Sequence, residues 1–369
     1  MSKVGETTLV LDLSALAHNY HYLRSKIKPE TKFLGVVKAF AYGSDMVVIA
    51  KKLEQLGAYY LAVAYENEGV LLRNTGIKLP ILVLHPLASN FEGLIKYNLE
   101  PSIYSKNILT QFLAEASSKQ LDAYPIHIKF NTGLNRLGFS ESDLDFISDE
   151  IKENRNVKVV STFSHLAASE DANEREFSLN QIAAFKKLSG ALNQKLGYAP
   201  MRHMLNTSGI INYPEAQFEM VRSGIGLYGY GNEAAVDASL QPVATLKTII
   251  SQIHHIGPNE SVGYNRAFSS QELKKTATLP IGHADGIGRQ YGKGKGIVTI
   301  HGKKAPIIGN VCMDMIMVDI TGIDCKEGDE VLVFGPDKSA ESFAEGANTI
   351  SYEILTAISQ RVKREVKEG

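Results

Sequence analysis

Up to Tyr230 the chain alternates short apolar runs with amphipathic segments, and this alternation constrains the fold more than any other feature. Between two such runs, apolar residues from Leu16 to Ile27 recur every three or four positions, which predicts a helix. Eight strands with helices between them are typical of a (β/α)8 TIM-type barrel, and an open doubly wound sheet is the alternative. We predict the strands near Phe33–Val37, Tyr59–Ala64, Ile81–His85, Glu100–Tyr104, Ile126–Phe130, Val157–Ser164, Arg202–Asn206 and Glu219–Arg222.

The remaining third of the chain is rich in β-type patterns. Strands are predicted at Ile297–Ile300 and Glu330–Phe334, and the segment His301–Lys304 has the composition of a hairpin turn. One helix is predicted to close the chain, with apolar residues from Ile354 to Val362 on one face. The fold class predicted is therefore α/β, with an N-terminal barrel followed by a mainly β C-terminal domain.

Length and composition place the chain among ordinary globular proteins of about two domains. It has 369 residues and a net charge of −1, so nothing indicates a nucleic-acid or membrane partner. Two cysteines, Cys312 and Cys325, are too few for a disulfide framework and lack zinc-ligand spacing. Without an apolar leader or an 18-residue apolar stretch, a cytoplasmic location is expected. We place the domains at residues 1–235 and 236–369.

Reactive side chains fall at the ends of the predicted barrel strands, where active sites of this fold lie. Lys38 follows the buried run Phe33–Val37, and Lys129 lies near the end of the fifth strand. Desolvation favours the neutral amine of a strand-end lysine, which can form a Schiff base with a carbonyl. The ordinary alternative is a lysine that reaches water. His165, Asn206 and Arg222 end the next three strands.

Four further patterns bear on ligand binding. The run Gly224–Gly229 matches the dinucleotide glycine pattern, but it closes the βα series, so a loop that binds a single phosphate fits better. The run Gly292–Gly296 lacks a Walker Ser or Thr and predicts a turn. His254 and His255 are adjacent, so in a strand they face opposite sides; no metal site is predicted. Arg136, in a glycine-flanked loop, can bind a carboxylate.

Eight motifs, in order and across both domains, resemble those of the alanine racemase family. No single motif is specific, but the ordered set covers nearly the whole chain. They are Val36–Gly43, Lys129–Gly138, Ser164–Ala167, Asn206–Ser208, Met220–Ile225, Val262–Tyr264, Pro280–Gly286 and Cys312–Asp314.

The resemblance implies that pyridoxal 5′-phosphate is bound to Lys38 and that alanine reacts through an external aldimine. Two bases would act on opposite faces of the α-carbon, Lys38 for the D-enantiomer and Tyr264 for the L-enantiomer. Arg136 would hold the substrate carboxylate and orient Tyr264. Arg222 would face the pyridine nitrogen, and a cation there disfavours protonation of the ring, which argues against the related decarboxylases. The product would be D-alanine for peptidoglycan.

The same resemblance assigns the surrounding residues. Met313 would contact the substrate and, with Tyr264, come from the partner in a head-to-tail homodimer. Lys129 is the position that many members carbamylate. The cofactor would be bound by Lys38, Tyr42, His165, Asn206, Thr207, Arg222, Gly224 and Ile225. Supporting positions would be Lys129, His203, His283, Cys312 and Asp314.

The chain departs from the family pattern at four positions. Phe40 replaces a common asparagine, Thr207 a serine and His283 a tyrosine, and Gln360 stands where some members have a phosphate-contacting tyrosine. Substrate breadth and phosphate binding are the properties that these changes affect. The alternatives are a racemase of broader specificity, a decarboxylase on the same scaffold, and a non-catalytic pyridoxal-phosphate carrier, which would not need Tyr264.

Overall fold

The structure is a computed structural model that describes residues 6–231, 233–336 and 339–368. Eight parallel strands close into a barrel, and a nine-stranded sheet carries most of the remaining strands. The predicted fold class, a (β/α)8 barrel followed by a mainly β domain, is confirmed. Among the described residues, no helix is both long and apolar enough to cross a bilayer.

All eight predicted barrel strands are present, with ends shifted by up to three residues. The largest shift concerns the strand predicted to reach Asn206, which ends at His203. Asn206 instead begins a helix, because its side chain accepts a hydrogen bond from the backbone N–H of Gly209. After β1 (Thr8–Asp12), the barrel strands are β2 (Lys32–Val36), β3 (Tyr60–Val63), β4 (Ile81–Val83), β5 (Glu100–Ile103), β6 (Tyr124–Lys129), β7 (Val157–Phe163), β8 (Met201–His203) and β9 (Met220–Ser223).

The helices cover the barrel and cap its connections. In the first helix the apolar stripe buries Leu16, Tyr20 and Leu23, and Asp12 caps the N-terminus by accepting from two backbone N–H groups. The helices are α1 (Leu13–Ser25), α2 (Lys38–Tyr42), α3 (Met46–Gln55), α4 (Glu66–Asn74), α5 (Phe91–Lys96), α6 (Lys106–Ser118), α7 (Leu144–Glu153), α8 (Arg175–Leu196), α9 (Thr207–Asn212), α10 (Ala234–Asp237), α11 (Ala340–Glu345) and α12 (Ser351–Ala357).

The strands after the barrel are mostly antiparallel, and the predicted strands and hairpin are among them. His301 and Gly302 have φ values of 47° and 76° and form the tight turn between two of these strands. The strands are β10 (Ala244–Ile249), β11 (Gln252–Ile256), β12 (Ser261–Val262), β13 (Phe268–Ser269), β14 (Lys274–Leu279), β15 (Ile297–Ile300), β16 (Lys303–Ile308), β17 (Ile316–Asp319), β18 (Glu330–Phe334) and β19 (Lys363–Lys367).

The two ends of the chain differ from the sequence-based expectation. β1 lies before the barrel in sequence but pairs with β10 and β19 in the nine-stranded sheet. The helix predicted to close the chain ends at Ala357, because Ile358 adopts an extended conformation with ψ 113°. The chain then forms β19, whose pairing with β1 no local pattern in the sequence indicates.

Candidate active site

A cavity of about 590 Å³ opens at the C-terminal ends of the barrel strands, a volume typical of small-ligand sites. All eight residues predicted to bind the cofactor line it, as do Arg136 and Lys129. The sequence analysis assigned no role to the other lining residues. These are Val36, Ala64, Tyr65, Leu84, His85, Leu137, Phe163, Ser208 and Tyr352.

Lys38 begins a left-handed turn, which is rare for residues other than glycine. Ala39, Phe40, Ala41 and Tyr42 have φ values between 53° and 57°, a conformation that costs roughly 1–2 kcal/mol per residue. The side chain of Glu68 ties this turn to a neighbouring segment. The Glu68 carboxylate accepts from Ala39 N–H at 2.6 Å and from the N–H of Ala64, on the next strand connection, at 2.7 Å. The surroundings therefore fix the strained backbone next to Lys38.

Three basic side chains in the cavity, two amines and an imidazole, have lowered pKa values. Burial, followed by the charge of Arg136, lowers the pKa of Lys38. Burial and the cations Arg136, Arg222 and Lys38 lower the pKa of Lys129 to about 8. Burial and the same cationic environment, Arg222 first, lower the pKa of His165 well below its usual value, so its imidazole is neutral. A cluster of this kind favours neutral, nucleophilic nitrogen and attracts anions.

Arg222 lies in the wall of the cavity and is almost fully buried. Its Nη2 donates to the backbone oxygen of Ser164 at 2.7 Å and lies 3.3 Å from Nδ1 of His165, while its Nη1 lies 2.5 Å from Nδ1 of His203. Burial lowers the pKa of Arg222 to about 9, which leaves the guanidinium charged at neutral pH. His203 itself stacks on Phe163, with ring centroids 4.9 Å apart. The guanidinium is therefore held in one orientation.

One end of the cavity is built from a glycine loop, two hydroxyl side chains and a phenol. A Cβ at Gly224 would lie 2.1 Å from the Tyr42 hydroxyl oxygen, so the loop can approach the phenol only with glycine there. The Thr207 hydroxyl accepts from Gly226 N–H at 3.2 Å and lies 3.0 Å from the Ser223 hydroxyl. Hydroxyl groups and a closely packed backbone are the donors that a phosphate group needs.

The tyrosine that α12 contributes to the cavity is Tyr352, and Gln360 is not among the lining residues. The ring centroid of Tyr352 lies 5.9 Å from the ring centroid of Tyr42. The Tyr42 centroid lies 4.6 Å from the centroid of the Tyr228 ring. The cavity tyrosine therefore stands at position 352, whereas the resemblance pointed to position 360. On its short helix Tyr352 precedes the buried pair Ile354 and Leu355, a pattern that indicates a core-facing helix but no contact with the cavity.

Six predicted site residues do not line the cavity of their own chain: His203 lies behind Arg222, and the other five lie in the C-terminal part of the chain. The Tyr264 side chain is 70% exposed and Met313 is 59% exposed, on turns of the C-terminal domain. The segments that carry them are joined by hydrogen bonds: the Asn310 side-chain amide donates to the backbone oxygen of Tyr264 at 3.0 Å, and His283 N–H donates to Cys312 O at 3.0 Å. Arg361 bridges Asp285 and Asp314 at 2.7 and 2.6 Å. This arrangement forms a braced, exposed surface bearing Tyr264, Met313, His283, Cys312 and Asp314.

Comparison with known proteins gives one consistent result. The model of the alanine racemase N-terminal domain matches residues 11–232, and that of the alanine racemase C-terminal domain matches residues 243–366. The alanine racemase of Halothermothrix orenii is 36% identical over 365 residues, which cover 97% of this chain and 96% of that protein.

Solved structures of similar proteins cover almost the whole chain as well. The alanine racemase of Clostridium difficile 630 superposes with a TM-score of 0.92 at 33% identity, covering 99% of this chain and 96% of that one. The alanine racemase of Bartonella henselae, solved with covalently bound pyridoxal phosphate, gives a TM-score of 0.89 at 30% identity and covers 98% and 100% of the two chains.

Proposed function

The chain belongs to the alanine racemase family, and we propose that it interconverts L-alanine and D-alanine with two bases, Lys38 and Tyr264. The observation that carries this proposal is the placement of Lys38 in a cavity at the barrel mouth, beside Arg136 and Arg222. An amine there can hold a carbonyl cofactor, and the arginines can hold the carboxylate and ring of an amino-acid adduct.

The residues of the cavity fit pyridoxal 5′-phosphate. Gly224 leaves room beside Tyr42 that a side chain would fill, and the lowered pKa of Lys38 favours the neutral amine that a Schiff base requires. When bound, the cofactor supplies the electron-withdrawing ring that acidifies the substrate α-carbon. Its phosphate would be held by Tyr42, Thr207 and the N–H groups of Gly224 and Ile225. Its ring would lie against His165, near Asn206.

Each proposed base has a distinct task. Lys38 would take the α-proton of D-alanine, and its lowered pKa supports this role. Tyr264 would take the α-proton of L-alanine from the opposite face. To act as a base Tyr264 must lose its phenolic proton, and a cation such as Arg136 beside it would stabilise the phenolate. Met313 would contact the substrate from the same side as Tyr264.

We propose that Tyr264 reaches the substrate across a dimer interface. Tyr264 and Met313 are largely exposed and absent from the cavity lining of their own chain, and Met315 beside them is 47% exposed. Exposed apolar side chains clustered in this way are typical of interaction surfaces. A head-to-tail homodimer would place these residues of one chain over Lys38 of the other and complete two sites.

The position of Arg222 favours racemisation over decarboxylation. Arg222 would face the pyridine nitrogen of the cofactor, and because a guanidinium only donates and stays charged, it would disfavour protonation of that nitrogen, which decarboxylation would favour. The proposed product, D-alanine, would supply peptidoglycan synthesis.

The two matched segments, 11–232 and 243–366, support a domain boundary between residues 235 and 236.

The proposal is tested by incubating the purified holoenzyme with L-alanine in deuterated water. We expect loss of optical rotation together with deuterium at the α-carbon, and a Lys38→Ala variant that neither racemises alanine nor shows an imine absorbance. L-Serine in a parallel reaction measures substrate breadth. Release of carbon dioxide without inversion would contradict the proposal.

A further inference from the structure

A continuous chain of buried hydrogen bonds runs through the interior of the barrel from Arg222 to Glu100. His203 Nε2 lies 2.9 Å from the Ser161 hydroxyl oxygen, which lies 2.6 Å from Nδ1 of His127. Nε2 of His127 lies 2.8 Å from Oε2 of Glu100. Because five barrel strands contribute its members, the chain links the cavity wall to the start of β5.

The chain is shielded from water along its length. His127, Ser161 and His203 have no exposed surface, and Arg222 and Glu100 are 5% and 9% exposed. In such surroundings a polar group left without a partner is costly, so each donor must meet an acceptor. Successive hydrogen bonds in a connected series also polarise one another, so a change of charge at one end alters the strength of the hydrogen bonds at the other end.

With both imidazoles neutral, only one arrangement of protons satisfies every bond. Arg222 can only donate, so Nδ1 of His203 must accept, and the proton of this imidazole sits on Nε2. His203 Nε2–H then donates to Ser161, and the Ser161 hydroxyl donates to Nδ1 of His127. His127 in turn donates from Nε2 to Glu100. Every donor therefore points from the arginine toward the carboxylate.

The contacts of Glu100, at the other end of the hydrogen-bond chain, agree with this direction of donation. The Tyr60 hydroxyl donates to the same Glu100 oxygen at 2.9 Å, so that oxygen accepts two hydrogen bonds, as a carboxylate can. Burial and the Glu100 charge raise the pKa of Tyr60, which keeps it a donor. Burial, followed by the charge of Arg222, lowers the pKa of His203 well below its usual value, which keeps it neutral.

We propose that Glu100 is a positioning residue for Arg222, acting through His127, Ser161 and His203. Of the described groups that accept from Arg222, none is a carboxylate; they are backbone oxygens and imidazole nitrogens. A buried cation needs a compensating charge, and Glu100 supplies it through the polarised chain. The chain also turns the lone pair of His203 toward Arg222 and so fixes which N–H groups of the guanidinium remain for the cavity.

This role rests on the proposed function, because Arg222 matters there through its contact with the cofactor ring. The proton arrangement does not depend on activity and can be measured directly. In ¹⁵N-histidine-labelled holoenzyme, we expect His203 to be a neutral Nε2–H tautomer, and His127 to accept at Nδ1 and donate from Nε2. An imidazolium or an Nδ1–H tautomer at either residue would overturn the proposal, whether or not the protein racemises alanine.

Two variants test the action at a distance. Glu100→Gln keeps the shape but removes the charge, and Ser161→Ala cuts the chain in the middle. In both we expect the ring N–H signal of His203 to move upfield and kcat/KM to fall by about 10-fold to 100-fold, as for a misplaced catalytic group. For Ser161→Ala, the His127 ring N–H bonded to Glu100 should keep its downfield position.

Thr162→Val is the matched control. Thr162 is the buried neighbour of Ser161 on β7 and faces the other side of the strand. Its replacement should leave both the His203 signal and kcat/KM unchanged. Folding is monitored by the melting temperature. If either Glu100→Gln or Ser161→Ala does not fold, the other variant still tests the proposal. A folded Glu100→Gln or Ser161→Ala protein with the wild-type His203 signal would overturn the proposal.

Discussion

The carboxylate of Glu68 accepts a hydrogen bond from the backbone N–H of Ala39 at 2.6 Å, directly after Lys38 in the chain. The same side chain accepts from Ala64 N–H at 2.7 Å, so it ties the left-handed turn to the neighbouring strand connection. Four consecutive residues in a disfavoured backbone region require such external support.

We therefore expect Glu68→Ala to destabilise the turn and loosen Lys38. Loss of two charge-assisted hydrogen bonds should lower the free energy of unfolding by about 2–3 kcal/mol and weaken cofactor binding. Chemical denaturation and cofactor titration measure the two effects. Glu153→Ala, at an exposed position on α7, is the control and should change neither. Wild-type cofactor affinity in Glu68→Ala would show that the tie is not needed.

Gly224 should be irreplaceable because of the space beside Tyr42. A Cβ there would lie 2.1 Å from the Tyr42 hydroxyl oxygen, and overpacking of this kind costs about 1–3 kcal/mol. We expect Gly224→Ala to weaken cofactor binding by about 10-fold to 100-fold, measured by titration of the apoenzyme. Gly190→Ala, on α8 with open space around it, should keep the affinity and raise stability by about 0.5–1 kcal/mol. Equal cofactor affinities in the two variants would argue against the close packing.

Tyr352, not Gln360, should contribute to phosphate binding. Tyr352 lines the cavity near Tyr42, so Tyr352→Phe removes a hydroxyl at the proposed phosphate end. One lost hydrogen bond should raise the dissociation constant of the cofactor about 5-fold to 10-fold. Gln360→Ala is the matched comparison and should leave it unchanged. A dissociation constant raised in Gln360→Ala and unchanged in Tyr352→Phe would refute this assignment.

Lys129 should react with carbon dioxide. Its pKa of about 8 leaves much of the amine neutral near that pH, and its charged neighbours Arg136, Arg222 and Lys38 would stabilise the carbamate anion. In the reaction the amine nitrogen bonds to carbon dioxide and a proton is released. With ¹³C-bicarbonate at about pH 8, we expect a carbamate ¹³C signal in the wild type and none in Lys129→Gln.

Removal of carbon dioxide gives Lys129 a second, pH-dependent signature. Its pKa is lowered from 10.5 to about 8 in the folded chain, so the unfolded chain binds more protons between those values. Stability should therefore rise with pH from about 8 to 10.5, by up to about 3 kcal/mol relative to Lys129→Met, and show no such gain below about 8. If the difference in free energy of unfolding between wild type and Lys129→Met did not change with pH in carbonate-free buffer, the pKa shift would be contradicted.

The barrel and most of the cavity were predictable because their signals are local. Lys38 and Arg222 each follow or end an apolar run, and strand ends converge in a barrel. Tyr352 was missed because its helix is distant in sequence from the other lining residues. The pairing of β1 with β19 joins the two ends of the chain, and neither strand has a pattern that specifies its partner.

The buried chain from Glu100 to Arg222 was not predictable for a related reason. His127 and Ser161 lie on strands with ordinary alternation, and inward-facing polar residues become meaningful only when the register aligns them. In the structure His127 lies opposite Ser161, and Phe163 opposite His203. Register depends on the whole barrel, so no local pattern in the sequence indicates these contacts.

The central claim is that each active site combines Lys38 of one chain with Tyr264 of another, and subunit mixing tests it most directly. Lys38→Ala and Tyr264→Phe proteins, each nearly inactive alone, are mixed, dissociated and reassembled. A shared site predicts recovery of about one quarter of wild-type activity, because half of the dimers then contain one intact site. Mixing Lys38→Ala with the Lys38→Ala/Tyr264→Phe double variant, which can form no intact site, should recover nothing. No recovery in the first mixture, with heterodimers present, would contradict the account.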